Sequence, residues 1–177
     1  MGKKVALVLI MVLIGTTLLF ARPTKGIAVG AQVGPLATGV VVDFPLGPVS
    51  FNFGVNTPLM INYIKTQSED VFEDAIAPYF MVSADITYPI HLGEHFDLKF
   101  GISTLAGTDF KNAIIGIAGG TVKGEYWIPN KKIGIFMHMD VPVVVYFAAE
   151  DTFLFETNWL IPLLGVFTTT AGVLWAF

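Results

Sequence analysis

The segment Val49-Ser50-Phe51-Asn52-Phe53-Gly54-Val55-Asn56 decides the fold. Large apolar residues alternate in it with small or polar ones. Successive side chains of a β-strand point to opposite faces. Val49, Phe51, Phe53 and Val55 therefore form one face, and Ser50, Asn52, Gly54 and Asn56 the other. Wound as a helix, the same residues would scatter Asn and Phe around the whole circumference.

The rhythm recurs on both sides of this segment. It is clear over Phe80–Tyr88, Phe96–Ser103 and Ile133–Asp140, and weaker over Gly26–Gly34, Gly39–Phe44, Ala113–Ile128 and Phe167–Phe177. That makes about eight strands, of a length near the 9–11 residues with which a tilted strand crosses a bilayer. Phe44-Pro45-Leu46-Gly47-Pro48, His91-Leu92-Gly93-Glu94-His95 and Pro129-Asn130-Lys131-Lys132 carry turn chemistry. They alternate with other connections at Gly34-Pro35-Leu36, Thr57 to Ala77, Gly107 to Asn112 and Ala148 to Thr157. One end then carries three tight turns and the other the longer, more variable loops. Outer-membrane barrels have this asymmetry.

Composition decides which face points out. The chain is 54% hydrophobic and 14% charged, with a mean hydropathy of +0.68. A water-facing surface is about 25–35% charged, and the alternating polar set here is mostly Ser, Asn, Gly and Thr. Fifteen Phe would crowd a barrel of about eight strands, whose interior just holds its own side chains. The apolar face is therefore expected outward, against lipid. Interior charges then need partners. A turn centred near Leu92 sets Asp85 opposite Lys99, and a loop centred near Phe110 sets Asp97 opposite Lys123. Glu125, His138 and Asp140 fall in the same interior layer, giving a polar network that plugs the barrel.

Residues 1–21 read as an export signal. Lys3 and Lys4 form a basic start, Val5 to Leu13 an apolar run, and Ala21 a small residue at a cleavage point. The barrel domain is then 22–177. With no cysteine, disulfides, thiol catalysis, Cys-ligated zinc and a lipid-modified N-terminal Cys are excluded. A net charge of -4 without a basic stripe gives no support to nucleic-acid binding.

Ala171-Gly172-Val173-Leu174-Trp175-Ala176-Phe177 places Val173 and Trp175 on one face with an aromatic Phe177. This resembles the last-strand signal of bacterial outer-membrane barrels. In organisation, 22–177 resembles the small eight-stranded class, which includes the OmpW-like and OmpX-like proteins and the OmpA transmembrane domain. The resemblance implies an outer-membrane location and recognition of Val173, Trp175 and Phe177 by the barrel-assembly machinery. It also implies a narrow path for small or apolar solutes.

Catalytic and metal motifs are weak. Gln67-Ser68-Glu69-Asp70-Val71-Phe72-Glu73-Asp74 lacks the spacing of a calcium loop and reads as a solvated loop. His91 and His95 flank a turn, so helical i, i+4 metal ligation does not apply. No G-x-S-x-G elbow is present, and Gly119-Gly120 lacks the context of a phosphate loop. Trp127, Trp159, Tyr88, Tyr126 and Tyr146 fit either interfacial girdles or ordinary packing. The expectation is an all-β, closed, antiparallel, up-and-down transmembrane barrel, non-enzymatic and without cofactor. Its partners are outer-membrane lipid, the assembly machinery and a small apolar solute. The alternatives are a surface adhesin or structural envelope protein acting through its loops, an α-helical membrane protein using Trp159–Phe177, and a soluble lipocalin-like barrel.

Overall fold

The computed structural model describes residues 26–67, 80–108, 113–149 and 152–177. The expected export signal and the acidic run from Ser68 lie outside these residues. The strands are β1 (Ala28–Val33), β2 (Thr38–Leu46), β3 (Val49–Thr57), β4 (Phe80–His91), β5 (Phe96–Thr108), β6 (Ala113–Trp127), β7 (Ile133–Ala149), β8 (Thr152–Glu156) and β9 (Thr170–Ala176). A helix α1 (Leu59–Gln67) follows β3. A 3-10 turn (Ile161–Leu164) and a short helix α2 (Gly165–Thr168) precede β9.

Eight of these strands close into a ring, each antiparallel to its neighbours. β1 to β7 pair in sequence order, β9 pairs with β7, and β9 returns to β1. β8 stands outside this ring. It folds back on the top of β7, with Ala149 opposite Thr152 and Val145 opposite Glu156. The all-β, up-and-down closed barrel expected from the alternation is the fold.

Local chemistry explains the tight end. Each of its three turns holds a residue with positive φ: Gly47 at 65°, Gly93 at 112° and Asn130 at 59°. Gly and Asn enter that region at little steric cost. At Gly47 and Gly93 an added Cβ would meet nothing within 4 Å, so the backbone conformation, not space, calls for glycine.

The other end departs from expectation in three ways. The expected strand Ile133–Asp140 continues to Ala149, because Val141 to Phe147 are β-branched or aromatic apart from Pro142. Pro142 lacks an N–H, and the β6–β7 ladder shifts register there: Ala118 faces Val144 and Gly119 faces Pro142. The connection expected from Ala148 to Thr157 holds strand β8. The last strand begins at Thr170 rather than Phe167, because 161–168 is helical. This helical segment covers the stretch of β7 between its β9 and β8 pairings. Thr168 Oγ1 accepts from the Asp140 N–H at 3.1 Å, and a Cβ on Gly165 would lie 2.3 Å from the Asp140 carbonyl oxygen.

Polar residues point in and apolar ones out. Ser50, Asn52 and Asn56 of β3 are buried, whereas Phe53 and Val55 are exposed. On β7, Gly134, Phe136, His138 and Asp140 are buried, and Ile135, Met137 and Met139 are exposed. Two apolar clusters lie inside. At the turn end are Ala28, Val41, Trp127, Phe136, Leu174 and Ala176. At the loop end Ala37, Met81 and Leu105 pack with Leu36 and Ile117.

Candidate functional site

Between the two apolar clusters the barrel is filled with charge. Lys99 of β5 reaches Asp43 of β2 at 3.1 Å and Glu125 of β6 at 2.8 Å, and donates to Ser50 Oγ at 3.3 Å. Lys123 of β6 lies 2.8 Å from Glu125 and 3.7 Å from Asp43. Both ammonium groups approach Glu125 at the same oxygen, Oε1, while Oε2 has no hydrogen-bond partner among the described residues. Lys123 also donates to Asn52 Oδ1 at 2.8 Å, and Asn52 Nδ2 donates to Asp85 at 2.7 Å. The Phe136 ring lies 4.6 Å from the Lys123 ammonium. Two cations and two carboxylates thus balance at the centre of the network. All four side chains are at most 3% exposed, the setting in which an unpaired charge is most costly.

Two smaller pairs flank this centre. His91 Nδ1 contacts Asp97 near the turn end. His138 Nε2 lies 3.1 Å from Asp140 and 2.6 Å from Thr121 Oγ1. A Thr, a His and an Asp are thereby close together, but the hydroxyl and the acid share one ring nitrogen. A nucleophile–base–acid relay needs the acid on the opposite nitrogen, so this cluster is not wired as a catalytic triad. Among the described residues no group of three His, Cys, Asp or Glu is arranged to hold a metal ion.

All seven residues singled out for the interior are buried, but their partners differ from expectation. Asp85 faces Ser103, and Lys99 faces Pro89. Asp97 faces Glu125, and Lys99 faces Lys123. The cause is register. β4 runs on to pair His91 with Asp97, which moves the hairpin centre from Leu92 to Glu94. The centre of the β5–β6 register is offset by one residue from Phe110. Like charges then sit directly opposite, which alone is destabilising, and the ion pairs run diagonally. Lys99, Lys123 and Glu125 come together, Asp85 joins them through Asn52, and Asp97 and the His138–Asp140 pair stand apart.

Sequence reasoning missed Asp43, the fully buried anion of the network. Its signal was there: it is the lone charge in Val40-Val41-Val42-Asp43-Phe44. Of the two readings left open for Trp127, the structure selects packing. At 1% exposure it fills the turn-end cluster, so it is no girdle residue. Val173 and Trp175 are exposed on the outer face of β9, and Phe177 is exposed just beyond its end. No family model, curated protein or solved structure matches this chain.

Proposed function

We propose that the chain is a non-enzymatic outer-membrane barrel with a closed interior, working through the surface that its loop end presents. One observation carries this reading: bulky apolar residues are exposed on the outward face of every strand of the ring. Ile102 of β5 and Met137 and Val143 of β7 are 67%, 62% and 56% accessible. In water such a surface would aggregate; against lipid it is the expected covering. The outward apolar run Ile133, Ile135, Met137, Met139, Val141, Val143 spans ten residue steps, about 33 Å of strand. At a tilt of 35–45° that projects to about 25 Å, the height of an outer-membrane apolar band. The outward Val173, Trp175 and Phe177 are the segment offered to the assembly machinery.

The interior argues against an aqueous pore. Ion pairs link β2, β5 and β6 across the lumen, and apolar clusters stand on both sides of them. A recess at the turn-end mouth, beside Ser50, Asp97 and Lys99, holds about 20 Å³, room for a single water.

A second reading, a path for small apolar solutes, draws on the loop end. Leu36, Met81, Leu105 and Ile117 form an apolar layer there, and Phe153, Leu154 and Phe155 of β8 are exposed above it. The test is to refold the mature chain in detergent, compare boiled and unboiled samples on SDS gels, and then record conductance in planar bilayers. A heat-shifted band without steady open-channel current is expected. A sustained porin-like current would overturn the closed-interior reading, and a soluble monomer without detergent would overturn the membrane one.

A further inference from the structure

A groove of about 550 Å³ runs down the outside of the wall between β6 and β7. Val122, Gly124 and Tyr126 line one side, and Ile135, Met137 and Met139 the other. Across the strands Gly124 faces Met137 and Tyr126 faces Ile135, so the floor is where the side chain is missing. No backbone crowding demands glycine here: an added Cβ would meet only the rim of the Phe96 ring, at 3.3 Å. The groove ends toward the turn that joins these same two strands, and that turn carries Lys131 and Lys132. Both lysines are exposed and make no ion pair among the described residues. Tyr126 sits at this end with His95 packed edge-on against it, ring centroids 6.3 Å apart. Trp175, opposite Ile133, flanks the other side of β7. The neighbouring β4–β5 turn contributes one exposed acid, Glu94.

We propose that this groove and turn form a binding site for an anionic phospholipid in the turn-side leaflet. One acyl chain lies over Gly124 between Val122 and Met139, and the phosphate meets the Lys131 and Lys132 ammonium groups. Charge complementarity selects the occupant: an apolar slot alone would take any chain, whereas two adjacent exposed lysines above it, unpaired among the described residues, favour a negative headgroup. Tyr and Trp at the level of the lysines match the headgroup region, where such rings concentrate. A second copy of the chain would bring its own Lys131 and Lys132 into a symmetric contact at this patch and would be repelled.

The site rests on the membrane reading, and the test separates the two. The full chain is refolded, and retention of dioleoylphosphatidylglycerol against dioleoylphosphatidylcholine is measured by native mass spectrometry. Two lysines near the headgroup predict a preference of about tenfold or more for the anionic lipid. The Lys131→Ala/Lys132→Ala variant is expected to hold the two lipids equally, and Gly124→Leu to retain less of either while keeping the heat-shifted gel band. Equal retention by the wild-type chain, or an undiminished preference in the double variant, overturns the lipid site. Protease protection in phosphatidylcholine vesicles is scored alongside. A protected barrel without lipid preference removes this inference alone, and an unprotected chain removes the membrane reading with it.

Discussion

Glu125 holds two ammonium groups on one oxygen in a deeply buried site. Removing it leaves Lys99 with Asp43, and Lys123 with the longer 3.7 Å pair to the same carboxylate, the Asn52 amide and the Phe136 ring. Glu125→Ala is therefore expected to lower unfolding stability by about 3–5 kcal/mol, measured by urea titration of the refolded barrel. Asp97→Asn, at the less enclosed turn end, should cost about 1–2 kcal/mol. If the two variants unfolded at the same urea concentration as the parent, the ion pairs would contribute nothing to stability. The residues of this network were legible because a charge at every second position of an apolar strand has nowhere to go but inward. Their partners were not legible. A cross-strand partner depends on where a hairpin turns, and shifts of two residues at Leu92 and one at Phe110 reassigned each pair. Asp43 escaped because its strand, Val40 to Phe44, has apolar residues on both faces and hides its phase.

At the scale of elements, alternation placed the strands well, and turn chemistry placed the three tight turns. Gly47, Gly93 and Asn130 mark the turns because their backbone conformation is one that few residues adopt. The loop end was harder to read. Leu160 to Phe167 is apolar whether it forms a strand or a helix, and the helix is selected by a tertiary fact: β7 outruns β9 and needs its edge covered. Thr168 and Gly165 are the contacts that cover it. Thr168→Val removes the hydroxyl that meets the Asp140 N–H and should cost about 1–2 kcal/mol. Gly165→Ala should push the segment off the Asp140 carbonyl. Both are expected to speed proteolysis within 157–169 while leaving the heat-shifted band intact. Unchanged cleavage would mean that the segment is held by its apolar contacts alone.

For the whole molecule, the orientation of the two faces is the decisive property, and a single outward substitution tests it. Ile102 lies midway along β5 and is two-thirds exposed. Ile102→Arg is expected to destabilise the barrel in vesicles by about 2–4 kcal/mol, the cost of a cation on the outward face at the bilayer midplane. On a surface that faced water the same change would be within about 0.5 kcal/mol of neutral. Urea unfolding in phosphatidylcholine vesicles distinguishes the two outcomes.

The ionic network also has a history within the folding reaction. Asp43, Lys99 and Glu125 are 56 and 26 positions apart along the chain; Lys99 and Glu125 can meet within the β5–β6 hairpin, but Asp43 reaches Lys99 only when β2 and β5 are curled around one lumen. Closure further requires β9 to find β1, the two ends of the described barrel. Contacts this distant make folding slow. During that delay the bulky apolar residues and the unpaired charges share one extended polymer, which is suited neither to water nor to hydrocarbon. If the barrel crosses a membrane as proposed, such a chain is expected to need an escort that keeps it soluble and a template that begins the curl. On the membrane reading, the same closed lumen is the reason help is expected in the making of this protein.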